Sequence, residues 1–152
     1  MSMAQPDTQP ALGAIVGNVL GDMAFLVSDD DGAACDHDGT WLTGAIRYRG
    51  PMNGRIKCWF TAQLAAELAA NLLGLEPNSA QAQQDAGDAV GEFMNVLCGQ
   101  LVTTWFDRSA IFDLSIPEVS KTSQAPADAE PGGQHACLTV SGQPLHCWHV
   151  TD

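Results

Sequence analysis

Positive charge is scarce in this chain of 152 residues. Six lysines and arginines stand against 18 aspartates and glutamates, for a net charge of −12 at pH 7. That balance repels phosphate backbones and anionic lipid, so nucleic acid and membrane surfaces are poor partners. Several chemical signatures are missing as well. There is no glycine-rich phosphate loop of the GxxxxGK or GxGxxG type, no GxSxG elbow for a nucleophilic serine, and no CxxC pair. The five cysteines (Cys35, Cys58, Cys98, Cys137 and Cys147) are odd in number and scattered. They read as reduced thiols of a cytoplasmic protein, several of them simply packed. The apolar run Ala11 to Val27 has no basic flank and is interrupted by Asn18 and Asp22, so neither a signal peptide nor a membrane span is expected.

What is present suits a single domain. Residues 1–9 read as a disordered N-terminus and residues 10–152 as one domain, of the commonest size and with 45% hydrophobic residues to fill a core. From Pro10 to about Met23, Leu12, Ile15, Val16, Val19, Leu20 and Met23 recur at helical spacing, with Ala14, Asn18 and Asp22 along the outer line. Met23 to Val27 then reads as a short strand. The aspartate-rich stretch Ser28 to Thr40 does not match the register of an EF-hand loop and reads as a solvated turn. Trp41–Tyr48 and Arg55–Phe60 alternate as a hairpin around Arg49–Gly54. Four of the six basic residues, Arg47, Arg49, Arg55 and Lys57, lie in this hairpin. Edge-strand charge that blocks aggregation is their expected role, and a patch for an acidic partner the alternative.

Thr61 is placed to cap a helix over Ala62–Leu73, and Gly74 to stop it. A longer helix is expected from about Ala80 to Trp105, capped by Asn78 or Ser79, with Asp85 and Asp88 near its positive end. Ala110–Ser115 reads as a strand closed by Pro117, Lys121–Gly133 as a loop, and His135–Val140 with Leu145–Val150 as a final hairpin. This order predicts an α+β fold, a mainly antiparallel six-stranded sheet packed with about three helices.

Two constellations stand out. On the long helix, at about 100° per residue, Asp88, Glu92, Asn95 and Gly99 fall within an arc of roughly 60°. Val90, Phe93, Met94, Leu97 and Leu101 collect on the opposite side. Gly99 costs about 1 kcal/mol of helix propensity against alanine and leaves a bare spot where another surface can approach. A solvated polar face is the plain alternative. The second constellation is His135, Cys137, Cys147 and His149 in the last two strands. These are zinc-competent types, but zinc sites usually draw ligands from tight CxxC or HxxxH turns, so ordinary strand residues are expected and no metal is assigned.

The pattern Asp88-x-x-x-Glu92-x-x-Asn95-x-x-x-Gly99 resembles the motif helix of the CheC/CheX chemotaxis phosphatases, which also resemble the middle domain of a flagellar switch protein. Phe112-Asp-Leu-Ser-Ile-Pro117-Glu-Val119 is similar to the strand that follows that helix in the family. Asn18-Val-Leu-Gly21 echoes Asn95-Val-Leu-Cys-Gly99, as a CheC/CheX-like pseudo-repeat implies. Ile15 stands where a first glutamate would be, so a single Glu/Asn pair remains, the CheX-like arrangement. The resemblance implies hydrolysis of the phosphoaspartate of a CheY-like response-regulator receiver domain. Asn95 would position the attacking water, Glu92 would contact the receiver's lysine, and Asp88 and Gly99 would support partner binding. It implies no cofactor bound by this chain, with magnesium carried by the receiver, and a homodimer. The alternatives are a non-catalytic module of the same fold that binds a receiver or flagellar protein, and a metal-binding domain built on the four cysteines and histidines.

Overall fold

A computed structural model describes residues 11–29, 39–76, 78–106, 109–123 and 133–152. The expected disordered N-terminus and most of the aspartate-rich stretch lie outside these residues. Helix α1 spans Leu12–Ala24 and buries Leu12, Ile15, Val16, Val19, Leu20 and Ala24. It does not give way to a strand at Met23. Phe25 turns left-handed (φ 57°) and its amide, with that of Leu26, donates back to the last helical carbonyls, which closes the helix. Phe25 and Val27 are exposed while Leu26 is buried, an alternation that looks strand-like in sequence. The strand proper, β1, is only Ser28–Asp29.

Strands β2 (Trp41–Arg49) and β3 (Gly54–Thr61) form the expected hairpin. Thr61 caps helix α2 (Ala62–Leu73) by accepting from the Leu64 amide at 3.0 Å, and Gly74 at φ 70° ends it. The single long helix expected next is two. Helix α3 (Ala80–Gln84) stops at Asp85, whose backbone leaves helical geometry, and helix α4 runs Ala86–Trp105. The Asp85 carboxylate accepts from Gln81 Nε2 at 2.7 Å, a side-chain pair one turn apart, and aspartate is itself a weak helix-interior residue. Ala82 of α3 packs on Ala66 and Ala70 of α2, which sets α3 on its own course.

Strand β4 is only Asp113–Leu114, and β5 is Glu118–Thr122, so the expected strand is shorter and the expected loop begins later. Both pair with β2, on the same side. Between them the Ser115 amide still donates to Arg47 O, but its hydroxyl takes over the acceptor role for the Arg47 amide, and Pro117 has no amide to offer. The ladder lapses there and resumes at Glu118. Strands β6 (Gln134–Val140) and β7 (Gln143–Thr151) complete an antiparallel sheet ordered β1-β6-β7-β3-β2, with β4 and β5 sharing the last edge. The sheet is thus six strands wide.

Register assigns the faces. In the row Val119, Gly44, Cys58, Cys147 and Ala136, a Cβ on Gly44 would fall 2.6 Å from Met94 and 2.9 Å from Val90, so α4 lies directly on β2. α1 covers the other end of this face, with Gly13 close to Ala136 and Leu138. The main core fills the space between. The opposite face holds a separate cluster of Trp41, Trp59 and Trp148. Arg47, Arg49, Arg55 and Lys57 share that face on β2 and β3, which are interior strands, so an edge-guarding role is ruled out. Arg47 sits directly opposite Arg55, and Lys57 Nζ lies 5.0 Å over the Trp59 ring.

Candidate functional site

Helix α4 owes its orientation to one apolar side. Val90, Phe93, Met94, Leu97, Leu101, Val102 and Trp105 are all in the core. That burial turns the opposite arc outward, and Asp88, Glu92 and Asn95 are exposed along it. Glu92 and Asn95 stand one turn apart on the exposed side of the helix. A Cβ on Gly99 would meet nothing within 4 Å, so the bare spot inferred from sequence is open space. The helix flank at Gly87 and Gly91 rests on Val119 of β5, at 3.8 and 3.7 Å from where their Cβ atoms would be. The motif helix and the strand that follows Pro117 are therefore packed together.

One more residue belongs to this face and has no place in the motif. Val96 lies about 40° from Glu92 around the helix at roughly 100° per residue. It is 39% exposed, among Glu92, Gln100 and Thr103. A wheel that tracks polar positions passes over it; the signal was a large apolar residue beside the polar arc, between the exposed Glu92 and Gln100.

The echo in α1 is exposed at Asn18 and Asp22, but Ile15 is 2% exposed and inside the core. The first helix offers an amide without a carboxylate before it.

The four-residue cysteine and histidine arrangement is split by strand register. His135 and Cys137 point to the outer face, where they pair with Trp148 and His146, while Cys147 and His149 point under the helices. His135 Nε2 lies 3.0 Å from His146 Nδ1, whereas Cys137 Sγ faces the other nitrogen of the same ring at 3.8 Å. Desolvation, then the neighbouring His146, lowers the His135 pKa. Among the described residues no three histidine, cysteine or acidic side chains gather to hold a metal. The thiols also depart from expectation. Cys58, Cys98 and Cys147 are free and buried, but Cys137 is disulfide-bonded, since proximity in space and not spacing in sequence decides which thiols meet. Cys58 donates to Cys147 Sγ at 3.3 Å. Burial pushes the Cys58 thiol up, and that of Cys98 to about 12, so neither is a nucleophile at neutral pH.

The site is a helical face that offers a carboxylate and a carboxamide, and no metal cluster gathers among the described residues. The fold around it narrows the class to α+β proteins in which a twofold-repeated helix and hairpin share one antiparallel sheet. The chain belongs to the chemotaxis phosphatase CheX family, whose profile matches residues 42–141. A chemotaxis protein CheX from Vibrio vulnificus superposes with a TM-score of 0.69 at 22% identity, over 93% of this chain and 96% of that one. One from Desulfovibrio desulfuricans gives 0.69 at 20% identity, with the same coverage. The CheX of a CheX–CheY–BeF3–magnesium complex from Borrelia burgdorferi gives 0.65 at 15%, over 92% and 94%. At these identities the likeness is one of fold. No curated protein matches the sequence.

Proposed function

We propose that this chain hydrolyses the phosphoaspartate of a CheY-like receiver domain docked on α4. The observation that carries the reading is the joint exposure of Glu92 and Asn95, one turn apart, with open space at Gly99. Family membership and the complex of a related CheX with CheY support it. The Asn95 carboxamide enters the receiver's pocket and holds a water in line with the phosphorus, the positioning role an amide serves in phosphoryl transfer. The water oxygen bonds to phosphorus, the bond to the aspartyl oxygen breaks, and inorganic phosphate and the free carboxylate result. Glu92 pairs with the receiver's lysine and sets the angle of the docked helix. Asp88 extends the acidic side of the contact, and Gly99 leaves clearance for the partner's backbone. Magnesium comes bound to the receiver, where it neutralises charge on the phosphoryl oxygens. The chain works as a homodimer in the cytoplasm, as the resemblance to the family implies.

The test is phosphate loss from phosphorylated receiver domains of the same organism. Wild type is expected to accelerate it, and Asn95→Ala to lower kcat about 100-fold while still binding a receiver loaded with magnesium and beryllofluoride, a stand-in for the phosphoryl group. No acceleration by wild type across those receivers, with binding intact, would leave a non-catalytic docking module instead.

A further inference from the structure

Resting on that docking reading, we propose that Val96 contributes to receiver binding by packing against an apolar side chain beside the receiver's phosphorylated aspartate. The large apolar residues of α4 are otherwise buried, and Val96 is the exception at 39% exposure. It is not a margin of the core, because Glu92, Gln100 and Thr103 around it are exposed. Nor does the helix gain from it. A β-branched side chain loses rotamer freedom in a helix, and alanine is the better helix former. Core packing and helix propensity both fail to account for a valine here.

Its position does account for it. Val96 follows Asn95 directly, lies one turn beyond Glu92 and one turn before Gly99. A surface that descends over the open space at Gly99 and also engages Glu92 comes within reach of Val96, about 40° around the helix from Glu92 and about 60° from Gly99. An apolar contact flanked by Glu92 and Gln100, each one turn away, would exclude water from the Glu92 side of the polar pair. A chain of net charge −12 also gains little long-range attraction toward an acidic phosphoryl pocket, so short-range apolar contact must carry more of the affinity.

The experiment measures KM and kcat for phosphate release from a CheY-type receiver domain of the same organism, phosphorylated with acetyl phosphate and magnesium. Thermal melting is followed in parallel for wild type, Val96→Ala, Val96→Ile and Val96→Asp. Val96→Ala is expected to raise KM about three- to tenfold with kcat unchanged. Its melting temperature should stay level or rise, because alanine favours the helix. Val96→Ile should keep the wild-type KM, and Val96→Asp should raise it about tenfold or more. A merely structural valine would move KM and melting temperature together, in the unfavourable direction, and that result overturns the proposal. So does a wild-type KM in all three variants while wild-type turnover is intact, an outcome that spares the docking reading. If wild type neither releases phosphate nor binds the beryllofluoride-loaded receiver, the docking reading falls and this contact falls with it.

Discussion

His149 lies in the core, its ring stacked on Tyr48 and met edge-on by Trp105, with Nε2 hydrogen-bonded to the Tyr48 hydroxyl at 2.8 Å. Desolvation lowers its pKa to about 4, and burial raises that of Tyr48. The folded ring is therefore neutral, whereas an unfolded chain takes up a proton near the ordinary histidine value of about 6.5. Stability from this site is fully present above that value and is lost as pH falls toward 4, by up to about 3 kcal/mol. Urea midpoints at pH 7 and pH 4.5 should fall with acid in wild type and fall less in His149→Phe. Nothing local marks this pair, since 101 positions separate its members and only register joins them. Asn95 and Glu92 are different. They lie within one turn of a strongly amphipathic helix, so periodicity alone places them side by side.

At the level of elements, α4 is seated by close approach to β2 at Gly44. There the space for a Cβ is taken by Met94 and Val90 of the helix. Gly44→Ala should cost about 1–3 kcal/mol, because the neighbours must shift in a filled interior. A calorimetric melt would show it. Phosphate-release kinetics of the same variant should show a lower kcat where α4 is lifted from the sheet. Long amphipathic stretches, hairpins and caps such as Thr61 were legible because each depends on near neighbours. The boundaries that escaped all depend on distant partners. Leu26 alternates like a strand but its amide closes a helix, and Ser115 imitates a ladder contact with its hydroxyl. Asp85 breaks a continuous pattern that α2 then exploits through Ala82.

Among the described residues α1 with β2–β3 and α4 with β6–β7 form two helix-and-hairpin halves, and only the second presents the Glu/Asn pair. Asn18 is exposed like Asn95, but no carboxylate stands one turn before it, because Ile15 holds that place and is committed to the core. Asn18→Ala should leave the phosphate-release rate within about twofold of wild type, the ordinary result for an exposed residue away from the chemistry. Restoring the missing acid by Ile15→Glu should not create a second site. It should lower stability by about 3 kcal/mol or more, measured by denaturant titration, since a buried charge there has no partner.

The two halves are also laced through one another. β1 follows α1 but pairs with β6, β5 follows α4 but pairs with β2, and the seam between halves is β3 against β7. Of the strand pairings, only β2 with β3 and β6 with β7 stay within a half. About half of the sheet's described pairing is thus between residues far apart in the chain, and such non-local pairing slows folding. Severed in the connection between Gly74 and Ser79, the protein should yield two pieces that are each unstructured alone yet reassemble when mixed, like two ribbons of a braid.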